Sequence, residues 1–198
     1  MDLSNSCTGS PSFRNDSERN QEDRWLVHGE RSVYESPWVR VGLADISQPS
    51  GERFEHHTVW FPPVAMAIVF DDSGDNILMA WRHRFAPNMW SWEVPGGIID
   101  GDESPEETVI REIEEETGYR PRSIEPLITF EPAVGMLRNP NHLFVVRGVE
   151  RVANPTEQNE GTFQWVPFRE VPDLIRAGQV GNSGALIGLL HVLALGGK

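Results

Sequence analysis

One stretch, Gly97 to Tyr119, constrains more than any other what this chain of 198 residues can fold into. It reads Gly-Ile-Ile-Asp-Gly-Asp-Glu-Ser-Pro-Glu-Glu-Thr-Val-Ile-Arg-Glu-Ile-Glu-Glu-Glu-Thr-Gly-Tyr. Its first half is a loop. Its second half carries the marks of a helix. Ser104 suits the N-cap, Pro105 the first helical position, and Glu107 stands three residues after the cap, which together make a capping box with proline at N1. Gly118 suits the left-handed residue that closes the helix. On the helical wheel Val109, Ile110 and Ile113 form an apolar stripe for the core, and Glu112, Glu115 and Glu116 share a different face. Three carboxylates that close repel one another. A hard divalent cation reverses the balance, because Mg²⁺ and Mn²⁺ favour oxygen ligands.

The spacing is that of the Nudix box. Gly97, five residues, Glu103, seven residues, Arg111-Glu112, two residues, Glu115-Glu116, one residue and Gly118 fill its fixed positions, and Tyr119 stands where an aliphatic residue is commoner. By this resemblance the chain is identified as a Nudix hydrolase, which splits a diphosphate linked to another group. The resemblance implies an α/β fold, an α/β/α sandwich with a mixed sheet, preceded here by an N-terminal strand unit. It implies Mg²⁺ or Mn²⁺ as cofactor, held by the Gly96 carbonyl, Glu112, Glu115 and Glu116. It also counts Glu103, Arg111 and Glu115 with the catalytic machinery, the arginine orienting a glutamate; Arg111 can reach Glu115 at i+4.

Composition limits the partners. The formal charge is −13, with 30 acidic and 17 basic residues. That disfavours nucleic-acid backbones and anionic membranes. An anionic diphosphate substrate then needs bound metal and placed arginines. The single cysteine, Cys7, allows no intramolecular disulfide, and a reducing cytoplasm is the expected compartment. The first residues, Met1 to Asp16, are polar and unlike a signal peptide. The longest apolar run, Ala185 to Leu195, is too short to span a bilayer.

Along the chain, residues 1–23 read as a disordered tail. Residues 24–61 read as a strand unit, with strands at Arg24–Ser36, Val39–Ile46 and Glu52–Phe61 and a turn at Gln48-Pro49-Ser50-Gly51. Such a unit resembles the ADP-ribose pyrophosphatase branch, where it often forms a homodimer. Residues 62–198 read as the hydrolase domain. Strands are expected at Val64–Phe70, Asn76–Arg84, Ser123–Phe130, His142–Glu150 and Thr162–Phe168. A hairpin turn is expected at Asp71-Asp72-Ser73-Gly74. Late helices are expected at Val171–Gly178 and after a cap at Asn182 or Ser183.

The same branch carries a Gln-Tyr-Arg-like segment where this chain has Arg82-His83-Arg84. That marks Arg84 first, and Arg82 with it, for contact with the diphosphate. Glu93 and Trp92, in the Trp-Glu-Val-Pro-Gly-Gly approach to the box, are further substrate-binding candidates. A Glu-any-Glu loop of the branch falls on Gln158 and Glu160, making Glu160 the expected general base, with Glu157 one residue off. The loop Glu131–Met136 aligns with a Ser-Pro-Gly signature of ADP-ribose specificity but has Val134 in place of its proline. The function these residues imply is metal-dependent hydrolysis of a nucleoside diphosphate sugar, ADP-ribose first, to AMP and ribose 5-phosphate. The alternatives are a nucleoside triphosphate or dinucleoside polyphosphate as substrate, and a non-catalytic ligand sensor on the same fold.

Overall fold

The computed structural model describes residues 23–156 and 161–196. Residues 1–22 of the expected tail lie outside them, as do Glu157 and Glu160. In chain order the elements are β1 Leu26–Glu35, β2 Arg40–Ser47, β3 Arg53–Trp60, β4 Val64–Phe70, β5 Asn76–Arg84, β6 Met89–Glu93, β7 Gly96–Ile98 and α1 Pro105–Thr117. Then come β8 Tyr119–Pro121, β9 Ile124–Phe130, β10 Leu137–Arg138, β11 Asn141–Arg147, β12 Val149–Arg151, β13 Phe163–Pro167, α2 Val171–Arg176 and α3 Ser183–Leu195.

The central sheet has the order β13-β5-β4-β11-β9, with β6 added to β5 and β7 to β4. β4 and β11 run parallel while the β9, β5 and β7 pairings are antiparallel, so the sheet is mixed. The β4 sequence, Val-Ala-Met-Ala-Ile-Val-Phe, explains its place at the centre: an unbroken apolar run suits a strand covered on both faces. Ala65, Ala67 and Val69 turn one way and pack with Val109 and Ile113 of α1. Met66, Ile68 and Phe70 turn the other way and pack with Val171 of α2 and Ala185, Leu189 and Val192 of α3. Period-two alternation along one strand therefore serves two helical layers. The expected α/β/α sandwich is what forms.

The N-terminal strands build a second sheet, β1-β2-β3-β10. Its fourth strand comes from the distant 137–138 segment, parallel to β3, and ties the unit to the loop that follows β9. β1 is an edge strand exposed along its whole length. Trp25, Leu26, Val27, Val33 and Tyr34 are all more than half exposed there.

Three expectations need correction. Ile110 is only half-buried; Thr108, whose hydroxyl bonds to Glu103, takes the place on the buried face beside Val109 and Ile113. The strand expected over His142–Glu150 breaks at Gly148, whose φ of 70° ends β11 and lets β12 pair with β8 instead. The first half of the Gly97–Tyr119 stretch, expected as a loop, opens in strand, because Gly97 and Ile98 belong to β7 and pair with β4.

Candidate active site

The site begins with the β5–β6 hairpin. Arg82 lies opposite Ser91, Arg84 opposite Met89, and Ala80 opposite Glu93. Strand alternation then puts Arg82, Arg84 and Glu93 on one face and Trp81, His83, Trp90 and Trp92 on the other. On the second face Trp81 stacks with Trp90 at 6.1 Å and leans on Trp92 at 5.4 Å. On the first face the Arg84 guanidinium grips the buried Glu93 carboxylate, with Nε donating to Oε1 at 3.0 Å and Nη2 to Oε2 at 2.7 Å. Arg82 reaches further, and its Nη2 donates to Oε1 of Glu116 on α1 at 2.7 Å.

Helix α1 is held at both ends as its sequence requires. Ser104 accepts from the Glu107 N–H while the Glu107 carboxylate accepts from the Ser104 N–H, and Gly118 closes the helix at φ 73°. Val109 and Ile113, buried against the sheet, set the rotation of the helix and turn its acidic face toward the β7 backbone. The contact there is close. A Cβ on Gly97 would meet the Glu112 carboxylate, so any larger residue there would displace that carboxylate from its present place. The Gly96 N–H donates to Oε2 of Glu116 at 3.0 Å.

Arg111 gathers the remaining acids. Its Nε donates to Glu103 at 3.0 Å, and its Nη1 to Glu112 at 2.8 Å and Glu115 at 3.0 Å. Its Nη2 also donates to the Ile98 carbonyl. These bonds, led by the one to Glu103, hold the guanidinium pKa above its ordinary value and the Glu103 carboxyl below its own. Glu116 goes the other way. Burial pushes its carboxyl up to about 7, against the pull of Arg82 and the Gly96 N–H, and the nearby Glu112 charge adds to the rise.

Among the described residues five carboxylates (Glu93, Glu103, Glu112, Glu115, Glu116) thus meet three guanidiniums (Arg82, Arg84, Arg111), a formal excess of two negative charges when all five are ionised. The donors toward β7 are all oxygens, and the excess charge matches one hard divalent cation. The residues present fit such an ion. Among the described residues no three acidic, His or Cys side chains converge tightly enough to enclose one as they stand. The arginines account for this, since each box carboxylate is drawn onto a guanidinium.

Of the residues singled out from sequence, Gly96, Glu103, Arg111, Glu112, Glu115 and Glu116 come together around β7 and α1, and Arg82 joins them. Arg84 and Glu93 form the neighbouring pair on the same hairpin face. Trp92 is half-buried on the opposite face, where it packs against the core. Glu160 lies outside the described residues. The positions flanking that segment do border the site: Thr156 N–H donates to the Glu115 carbonyl at 2.8 Å, and Gly161 packs on the Arg82 side chain. Sequence reasoning missed the pairing of Arg82 with Glu116 and the support Thr108 gives Glu103. Strand spacing put Arg82 and Arg84 on one face, but it did not tell which acid Arg82 would meet.

Comparison with known proteins places this geometry. The NUDIX domain model matches residues 60–182. A CMP-5′-(N-acetyl-N-hydroxy-3-aminopropyl)phosphonate hydrolase from Streptomyces rubellomurinus is 46% identical over 175 residues, covering 88% of this chain and 84% of that protein. An ADP-ribose pyrophosphatase from Mycobacterium tuberculosis is 30% identical over 135 residues, 66% of this chain and 65% of the other. The crystal structure of an ADP compounds hydrolase superposes with a TM-score of 0.74 at 17% identity, over 87% of this chain and 94% of that one. Nudix hydrolases generally use divalent metals, which agrees with the oxygen-lined face of α1. With the box intact, its helix built as the sequence requires and the sandwich around it, the chain belongs to the Nudix hydrolase family.

Proposed function

We propose that this enzyme hydrolyses the P–O–P bond joining a nucleoside 5′-monophosphate to a second phosphorus group, releasing the nucleoside monophosphate. The observation that carries this reading is the meeting of Glu112 and Glu116 with the Gly96–Gly97 backbone, an all-oxygen pocket with excess negative charge. Glu112, Glu115, Glu116 and the Gly96 carbonyl are the groups that would hold the ion, Mg²⁺ or Mn²⁺. Bound there, it would polarise a phosphoryl oxygen and lower the pKa of a water. Arg111 keeps Glu103, Glu112 and Glu115 in place for that task. Arg84 and Glu93, on the hairpin face that also carries Arg82, are assigned to contact with the anionic substrate. Glu160 is assigned as the base that takes the proton from water.

For the second phosphorus group, a phosphonate linked to CMP comes first. The 46% identity to the CMP-phosphonate hydrolase extends over 88% of the chain, so it spans the N-terminal unit as well as the box. ADP-ribose comes second, supported by the mycobacterial pyrophosphatase and weakened by Val134 in the Glu131–Met136 loop. The exposed apolar edge at β1 supports a homodimer built on the N-terminal sheet.

A substrate panel tests the reading. The full chain is incubated with Mg²⁺ or Mn²⁺ and a CMP-linked phosphonate, ADP-ribose, a nucleoside triphosphate or a dinucleoside polyphosphate. Products are then separated by ion-exchange chromatography. Release of CMP from the phosphonate conjugate faster than AMP from ADP-ribose supports the first choice, and the reverse order selects the second. Triphosphates turned over fastest would contradict both.

A further inference from the structure

Glu116 is the most enclosed carboxylate of the box, and both of its oxygens are already committed. Oε1 accepts from Arg82 at 2.7 Å and Oε2 from the Gly96 N–H at 3.0 Å. Both partners of the ion pair have side chains no more than 6% exposed. Arg82 is confined as well. Its guanidinium lies 5.0 Å over the Phe163 ring, and Gly161 passes against its Cβ. The Arg111 cluster is looser, with side-chain exposures of 28% for Arg111 and 40% for Glu115. A cation arriving from solvent therefore finds the Arg111 acids adjustable and Glu116 held by a fixed charge.

We propose that Arg82 is a resident counter-ion for Glu116, competing with the divalent ion for that carboxylate and setting how tightly the ion is bound. Before the ion arrives, Arg82 keeps the buried carboxylate turned to the Gly96 backbone and spares the fold an uncompensated charge. Once the ion is present, the fixed guanidinium is a like charge close by and weakens its binding. Arg82 is thus a positioning residue: it exchanges ease of ion loading for a site already shaped without the ion. This rests on the reading of Glu116 as an ion ligand.

The test is Mn²⁺ binding to the full chain, followed by the electron paramagnetic resonance signal of free Mn²⁺, in Arg82→Gln, Arg82→Lys and Glu116→Gln. Loss of a fixed positive charge at that range should tighten Mn²⁺ binding in Arg82→Gln on the order of tenfold. Damage to the fold would weaken binding, so a gain separates competition from a merely structural role. Arg82→Lys keeps the charge without the fork and is expected between wild type and Arg82→Gln. In EDTA the melting temperature of Arg82→Gln should fall, and saturating Mn²⁺ should raise it by more than it raises wild type. If Arg82→Gln does not fold in EDTA, Arg82→Lys carries the comparison. Glu116→Gln should bind at least tenfold more weakly, on the order of a lost charged ligand. Arg82 variants that bind Mn²⁺ no more tightly than wild type, while Glu116→Gln binds weakly, would overturn the proposal and leave the ligand reading standing. Undiminished binding by Glu116→Gln would overturn both.

Discussion

Helices α1 and α3 have the same length, 13 residues, and cover opposite faces of the same sheet, yet they differ in almost every other respect. α3 reads Ser-Gly-Ala-Leu-Ile-Gly-Leu-Leu-His-Val-Leu-Ala-Leu and holds no charged residue. It buries Ala185, Leu189 and Val192 against β4 and β11, with one Asn182 cap at its start. α1 buries Val109 and Ile113 at the sheet, and most of its other positions are charged. Its glutamates gain nothing from the core and repel one another. The comparison shows where stability and chemistry reside. The apolar side of the sandwich supplies the burial, and the charged side keeps an acidic face in place with two caps and two arginines.

Removing the group proposed as base should change rates far more than stability. Glu160→Gln should lower kcat by about 10²–10⁴ if Glu160 is the base, and should alter the acidic limb of the pH–rate profile. Glu157→Gln should do much less. A near-normal kcat and pH profile for Glu160→Gln would place the base elsewhere.

Breaking the apolar side should do the reverse. Leu189 is fully buried, and Leu189→Ala should cost about 2–5 kcal/mol in denaturant unfolding, with kcat per folded molecule unchanged. A lost kcat with stability intact would mean that α3 shapes the site directly.

A pH series sharpens the comparison within α1. The Glu116 carboxyl has an unperturbed value of 4.5 and is raised to about 7 by burial in the fold. The folded chain therefore holds that proton more tightly than the unfolded chain does. The resulting stability is full below 4.5 and is lost as pH rises through 7. In EDTA, the melting temperature of Glu116→Gln relative to wild type should rise as pH goes from 4.5 to 7 and level off above that. A flat difference would refute the shift.

The smallest effect is expected at the helix start. Ser104→Ala removes the capping box and should cost about 1 kcal/mol. Activity of the folded molecules should be retained, because the other end of α1 is set by Gly118 and by Arg111. A loss of activity larger than the loss of stability would show that the cap sets the angle of the acidic face.

How far the sequence carried these conclusions depends on the range of the interactions. The caps of α1, the turns at Gly51 and Gly74 and the two-sided burial of β4 are local, and each was legible from a few adjacent residues. The reach of Arg111 to Glu115 followed from helical spacing alone. Pairings across 34 residues, as between Arg82 and Glu116, depend on which strand lies under which helix face, and no local pattern encodes that. The same holds for β10, a two-residue strand recruited by β3 from far along the chain. Ile110 was misplaced because an apolar stripe predicts burial only where the facing sheet extends far enough to cover it. Here the buried face includes Thr108, whose hydroxyl is satisfied by Glu103 and the Ser104 carbonyl.

The central claim is that the acidic face of α1 holds the ion that makes the P–O–P bond labile. The most direct measurement is nucleoside monophosphate release at saturating Mg²⁺ by wild type, Glu112→Gln and Glu116→Gln, each also assayed in EDTA. The account predicts that wild type turns over only with Mg²⁺. It also predicts that each variant is slower per folded molecule by at least about 10²-fold, the scale of a lost charge-stabilising group, with Glu112→Gln melting no lower than wild type in EDTA. Turnover by wild type in EDTA, or variants with wild-type kcat at saturating Mg²⁺, would contradict it.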